Sequence, residues 1–385
     1  MIDAMLLAVA VYVGIEHELP DPPYAQYLNA RTGATGKLKS SEHLAQACGT
    51  QEERRVVRYD GVLGVSLYYT DRVARTTVIL IHGADDETRQ MGWIVPYFVC
   101  NGINVISYDQ RGTGESSGNW RANGPPDRAR DVDAIYDAFR DDAHVDPQRI
   151  GVWGFSNGGW TAPIVALNRP LAFMILKSPP AESIERNALF EQQQAMLHAG
   201  RSKADVAQAT AAEKAVIDAI LGNAPLSAAK SAYAKASRAT WYKDSFFAMV
   251  PEKEMLAEPY LSGWRRYLSY DPGGVLARVR TPTLALYGFR DRKVDVHHDA
   301  PILIAAYAKS GTRLTVKWFS NAGHTLKVTA NGFEVANPER YGRGFPDVMM
   351  QWLRERSRTA DRPRRSARET RNIPGVSPVL RKDPH

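Results

Sequence analysis

The chain has 385 residues, 44 % hydrophobic and 24 % charged, the balance of a globular protein and not of a disordered or fibrous one. Its formal charge of +7 invites a nucleic-acid reading, but ten Arg/Lys and four Asp/Glu fall between Arg354 and His385. About six of the seven charges therefore belong to the tail, the body is close to neutral, and no nucleic-acid partner is expected.

Ala4 to Gly14 is an apolar run of about 11 residues, against the ~20 that a spanning helix needs, so no stable membrane span is expected. No Lys or Arg precedes it, as the start of a signal peptide would require. It reads as a packed N-terminal segment, with an export-signal remnant as the alternative, and the compartment stays open between cytoplasm and export. Residues 1–50 as a whole, rich in Pro, Gly and small polar residues, read as an irregular arm. Two cysteines are too few for a disulfide framework or a cysteine-based zinc site. Cys100 closes the apolar run Pro96 to Cys100 and reads as a core thiol, while a single bond to Cys48 stays open.

Arg54 to Tyr59 and Val62 to Thr70 alternate around Asp60-Gly61, a hairpin signal. Thr76 to Ile81 is a β-branched strand ending in His82-Gly83, and Met91 to Asn101 reads as a helix stopped at Gly102. Ile103 to Tyr108 is a second buried strand, followed by Asp109-Gln110-Arg111-Gly112-Thr113-Gly114-Glu115-Ser116. Asp127 to Asp141 has helical spacing. Arg149 to Phe155 then runs as a strand into Ser156-Asn157-Gly158-Gly159, with a helix over Trp160 to Leu167 and a strand at Ala172 to Lys177. Alternating short apolar strands and helices point to a mostly parallel sheet covered on both faces, with its chemistry at the carboxyl ends of the strands.

From 180 to 280 the alternation stops. Glu182 to Asn223 and Leu226 to Tyr242 read as helices, with scattered aromatics after them, and a helical insertion between two strands reads as a lid over the rim. The sheet resumes at Thr283 to Tyr287, a helix covers Pro301 to Ala308, a last strand covers Arg313 to Phe319, and Phe345 to Arg356 closes the fold. The expected division is an arm (1–50), a core (51–179 with 281–356), a helical insertion (180–280) and a basic, disordered tail (357–385).

A serine hydroxyl is a poor nucleophile unless it is exposed beside a base and near amide donors. The strand, tight turn and helix around Ser156 supply the exposure, and the crowded turn demands tiny residues at Gly154 and Gly158. A base and an orienting acid are available in loops leaving later strands: His324 after Phe319, and Asp291 after Tyr287. Asp295 competes with Asp291 but reads as a helix cap. His297 and His298 read as surface or capping residues; as a pair they could suggest a metal, but no third ligand is spaced to complete a site.

The chain order serine, acid, histidine, together with His82-Gly83, Asp109-x-Arg111-Gly112-x-Gly114, Gly154-x-Ser156-x-Gly158, Gly288-x-x-Asp291 and Gly323-His324, resembles the α/β-hydrolase fold. Within it, the chain looks like bacterial esterases and serine-aminopeptidase-like hydrolases. The resemblance implies a Ser156–His324–Asp291 triad, an acyl-enzyme mechanism without cofactor or metal, and a small-molecule ester or amide substrate. It also implies an oxyanion hole built from the backbone N–H groups of Asn157 and Ala84. His82 then reads as a structural imidazole, and Asp109 and Arg111 as loop-ordering residues. Asp85-Asp86 departs from the apolar loop of many relatives and hints at a cationic substrate group. A non-catalytic, ligand-binding member of the fold is the rival of another class.

Overall fold

The computed structural model describes residues 45–46, 48–70, 75–84, 87–333 and 340–360, with side chains to 356. The apolar run at 4–14, most of the irregular arm, Asp85-Asp86 and the tail beyond 360 lie outside the described residues. Within them, eight strands form one sheet: β1 (Thr50–Arg58), β2 (Gly61–Tyr69), β3 (Arg75–Ile81), β4 (Asn104–Tyr108), β5 (Val145–Phe155), β6 (Met174–Lys177), β7 (Thr283–Gly288) and β8 (Leu314–Phe319). Their spatial order is β1-β2-β4-β3-β5-β6-β7-β8. The β1–β2 hairpin and the β2–β4 pair are antiparallel, and every pair from β4 to β8 is parallel.

The strands β4, β6 and β7 are buried along their whole length, because helices cover both faces of the sheet. On one face lie α2 (Pro125–Phe139), α3 (Gly158–Asn168) and, further along the chain, the helix Val296–Ser310; on the other lie α1 (Ile94–Cys100) and the closing helix Phe345–Ala360. Helix α2 shows why its sequence does this: Val132, Ile135, Tyr136 and Phe139 recur at helical spacing and are all buried.

Between β6 and β7 the chain leaves the sheet and builds α4 (Ile184–His198), α5 (Lys203–Leu221), α6 (Leu226–Ala236), several short turns and α7 (Tyr260–Leu268). This insertion has its own apolar cluster, including Ile217, Ile220, Tyr233, Trp241 and Phe247. The expected long helix over 182–223 is broken at Gly200, whose φ of +77° is left-handed, and restarts at Ser202, which caps α5 through the Asp205 N–H.

Two expectations need correction. Cys100 is not a free thiol: it is bonded to Cys48 across 52 residues, because the turn after Ala45 brings Cys48 against the end of α1. Closing a loop of that length typically stabilises by about 2–4 kcal/mol. The helix expected from Pro301 begins at Val296 instead, as α8 (Val296–Ser310), with Pro301 inside it. Its added turn is anchored by buried Val296, Asp299 and Ala300, and the Asp299 carboxylate accepts the N–H groups of Ala181 and Glu182 at the root of the insertion. The closing helix, α9, runs over Phe345–Ala360.

Candidate active site

Strand β5 runs out at Phe155, and Ser156 turns the chain with φ +52°, a left-handed conformation that a residue with a side chain rarely adopts. Its backbone N–H donates to the Lys177 carbonyl at 2.9 Å, and its own carbonyl accepts from Gly159 at 2.7 Å. The small flanking residues are required by contact. A Cβ on Gly154 would stand 2.7 Å from the Gly158 carbonyl oxygen, and one on Gly158 would stand 2.8 Å from that of Ile81.

The parallel strands deliver three side chains to one rim. His324, in the loop after β8, lies with Nε2 2.9 Å from Ser156 Oγ and Nδ1 2.8 Å from Asp291 Oδ2. Asp291, in the loop after β7, is held in turn by the N–H groups of Lys293 (2.8 Å) and Val294 (3.0 Å), which donate to Oδ1. Both Asp291 and His324 are buried. The His324 carbonyl accepts from Ser178 Oγ at 2.6 Å, and the His324 ring lies against Phe155, with centroids 5.1 Å apart. Each member of the row is therefore oriented by a neighbour other than the one it would react with.

Asn157 and Ala84 line the same cavity as Ser156 and His324. His82 is buried, bridging Glu87 and the Tyr108 carbonyl, away from the serine. Asp109 accepts the N–H groups of Arg89 and Glu115, and Arg111 makes a two-pronged bond to Asp131 at 2.7 Å, so both order loops. Asp295 occupies the cap position of α8, His297 packs edge-on against Phe289, and His298 bonds Glu182 at 2.9 Å. Among the described residues no group of three or more His, Cys, Asp or Glu is placed to hold a metal, and no helix is long and apolar enough to cross a membrane.

Over the serine lies a cavity of about 820 Å³. The insertion supplies one wall, with Asn187, Glu191, Trp264 and Tyr267; Trp120 and Arg128 supply another. The Asn157 amide donates to the Tyr267 hydroxyl at 2.7 Å, tying the elbow to α7. Burial pushes the Tyr267 phenol up to about 12, so it is neutral across the physiological range.

Sequence reasoning missed Arg128, Trp120 and Tyr267. For Arg128 a signal existed: it stands four residues before Val132 and seven before Ile135, so helical spacing puts a guanidinium on the buried stripe of α2. Tyr267 had none, because nothing in a helix-rich stretch says which aromatic will face a loop 110 residues earlier.

The chain matches, over residues 72–238, the profile of a family described as serine aminopeptidase S33. It is 29 % identical over 117 residues to the thiohydrolase aneE of Aspergillus aculeatus, covering 29 % of this chain and 36 % of that one. It is 37 % identical over 98 residues to the polyketide transferase claH of Penicillium crustosum, covering 24 % and 31 %. The chain thus spans about a third of the length of these curated relatives. Among solved structures, the acylaminoacyl peptidase of Pyrococcus horikoshii matches with a TM-score of 0.50 at 13 % identity, over 83 % of this chain and 42 % of that one, a likeness of fold alone.

Proposed function

We propose that this chain, which has the α/β-hydrolase fold, is a serine hydrolase cleaving carboxylic esters of small molecules through Ser156, His324 and Asp291. The observation that carries this reading is the unbroken hydrogen-bonded row from Ser156 Oγ through both imidazole nitrogens to a carboxylate oxygen. As Ser156 Oγ bonds to the substrate carbonyl carbon, its proton passes to His324 Nε2. The Asp291 carboxylate keeps the other proton on Nδ1 and stabilises the imidazolium that forms. Collapse of the tetrahedral adduct breaks the bond to the alcohol oxygen, which leaves with the proton from Nε2. Water then repeats the two steps in the same order and frees the acid and Ser156.

In this reading the developing oxyanion is met by the backbone N–H groups of Asn157 and Ala84, and the insertion at 180–280 acts as a lid that shapes the acyl site. Losing one such donor costs about 3 kcal/mol of transition-state stabilisation in comparable sites. A second reading, amide or short-peptide cleavage with the same three residues, is favoured by the family description and by Glu191 and Glu254 in the cavity wall, which could meet a free amine.

The test is a rate series on p-nitrophenyl esters of increasing acyl length beside aminoacyl-anilides. Ester kcat/KM well above that of the anilides, peaking at one acyl length, is expected. Fast anilide cleavage with a flat ester profile transfers the assignment to the peptidase reading.

A further inference from the structure

Arg128, in the first turn of α2, has a side chain that burial alone makes costly. The residue is 7 % exposed, and its guanidinium makes one hydrogen bond among the described residues, from Nη1 to the Gly83 carbonyl at 3.1 Å. Nε is buried and bonds nothing among the described residues. The two nearest carboxylates on its own helix are committed elsewhere. Asp127 accepts from the Gly124 N–H, Arg130 and Arg266, and Asp131 from Arg111, with Arg58 beside it. A guanidinium taken out of water without a carboxylate is strongly disfavoured, and burial accordingly pushes its pKa down. Such a group is retained where something else completes it.

Arg128 lines the cavity together with Ser156, so a ligand held there can reach it. A guanidinium can grip a carboxylate with two parallel bonds through its terminal N–H groups, and of these only Nη1 is used among the described residues. Beside it, the Trp120 ring has Arg121 Cζ at 4.7 Å and Arg128 Cζ at 5.5 Å from its centroid, and all three residues line this corner of the cavity. The carboxylates of the cavity, Glu191 and Glu254, belong to the helical insertion, and Glu191 has Lys293 at 3.4 Å.

We propose that Arg128 binds a carboxylate carried by the substrate, so that the site takes acid-bearing esters in preference to neutral ones of the same shape. This rests on the ester-hydrolase reading above and adds a substrate class to it. The corner touches the loop of Ala84 through Gly83, so the bound carboxylate also fixes where the scissile carbonyl lies relative to Ser156. The inference runs opposite to the cationic preference hinted at by Asp85-Asp86, which stand outside the described residues.

Two matched pairs locate the carboxylate. On the acyl side, p-nitrophenyl hydrogen glutarate is set against p-nitrophenyl pentanoate; on the alcohol side, 4-acetoxybenzoate against phenyl acetate. One charged member should exceed its neutral match in kcat/KM by about 10- to 100-fold, mostly through KM, as a hydrogen bond to a charged group supports. In Arg128→Gln that ratio should fall to near one, with Arg128→Lys in between. A separate binding measurement uses Ser156→Ala, which cannot turn over: glutarate should raise its Tm, and should not raise that of Ser156→Ala/Arg128→Gln. If no ester is cleaved but the Tm shift behaves this way, the ester reading falls and the carboxylate site stands. If esters are cleaved with ratios near one in both pairs of the wild-type protein, the carboxylate site is refuted. A ratio that survives undiminished in Arg128→Gln refutes it as well.

Discussion

The three facing side chains at the rim of the sheet are all paired, whereas several buried polar groups of the helical insertion above it are not. At the rim, Ser156, His324 and Asp291 are chained together, and Asp291 and His324 are each held again from behind, by backbone N–H groups and by Ser178. In the insertion, Glu213 is buried in the apolar cluster on α5, and its Oε2, Gln192 Nε2 and Asn187 Oδ1 find no hydrogen-bond partner among the described residues. Burial, and then the charge of Glu191, pushes Glu213 up to about 8. The contrast separates two requirements. Chemistry needs atoms fixed to fractions of an ångström, which the ends of parallel strands provide. A wall that admits one substrate and excludes another tolerates polar groups awaiting a partner.

The comparison breaks most visibly at the rim. His324→Ala should lower kcat by about 10⁶-fold with KM little changed, as expected when an interaction made only in the transition state is lost. Asp291→Asn should cost about 10⁴-fold, because an amide presents the wrong partner to Nδ1–H and favours the wrong tautomer. Steady-state kinetics on one ester checks both, and a loss below tenfold in either would detach that residue from the reaction.

On the insertion side the effect is on stability and its sign is set by Glu213. Its folded-state pKa is raised from 4.5 to about 8, so the folded protein holds this proton more tightly than the unfolded chain does. The resulting stability is fully present below about pH 4.5 and is lost as pH rises towards 8. Glu213→Gln should remove that slope and leave the variant more stable at pH 9, by on the order of 5 kcal/mol. Urea melts at pH 5, 7 and 9 measure it; equal slopes in both proteins would show that the carboxyl finds a partner. Smallest is Tyr267→Phe, which takes away the acceptor for the Asn157 amide and should cost about 1 kcal/mol of stability and a few-fold in kcat/KM.

What could be read from the sequence divides along the same line. The rim residues were legible because each strand end carries a local pattern: Gly154-x-Ser156-x-Gly158, Gly288-x-x-Asp291, Gly323-His324. The contacts behind that pattern, such as Gly158 against the Ile81 carbonyl, explain why no larger residue stands there. The sheet order was not legible, since strand pairing joins residues far apart and leaves no local trace. Nor was the Cys48–Cys100 bond, because an apolar neighbourhood around Cys100 suits a core thiol and a disulfide equally. Arg128 was legible in principle, as a charge on an apolar stripe, but a sequence cannot say whether a carboxylate waits across the interface. Glu213 was legible in principle in the same way, three residues before Val216 and seven before Ile220 on the buried stripe of α5.

The central claim is that Ser156 is the nucleophile. Treatment with a fluorophosphonate probe, followed by mass spectrometry of the intact protein and its peptides, tests it most directly. One adduct per chain on the peptide containing Ser156, absent in a folded Ser156→Ala protein, is the expected result; an adduct of equal yield in that variant would contradict the account.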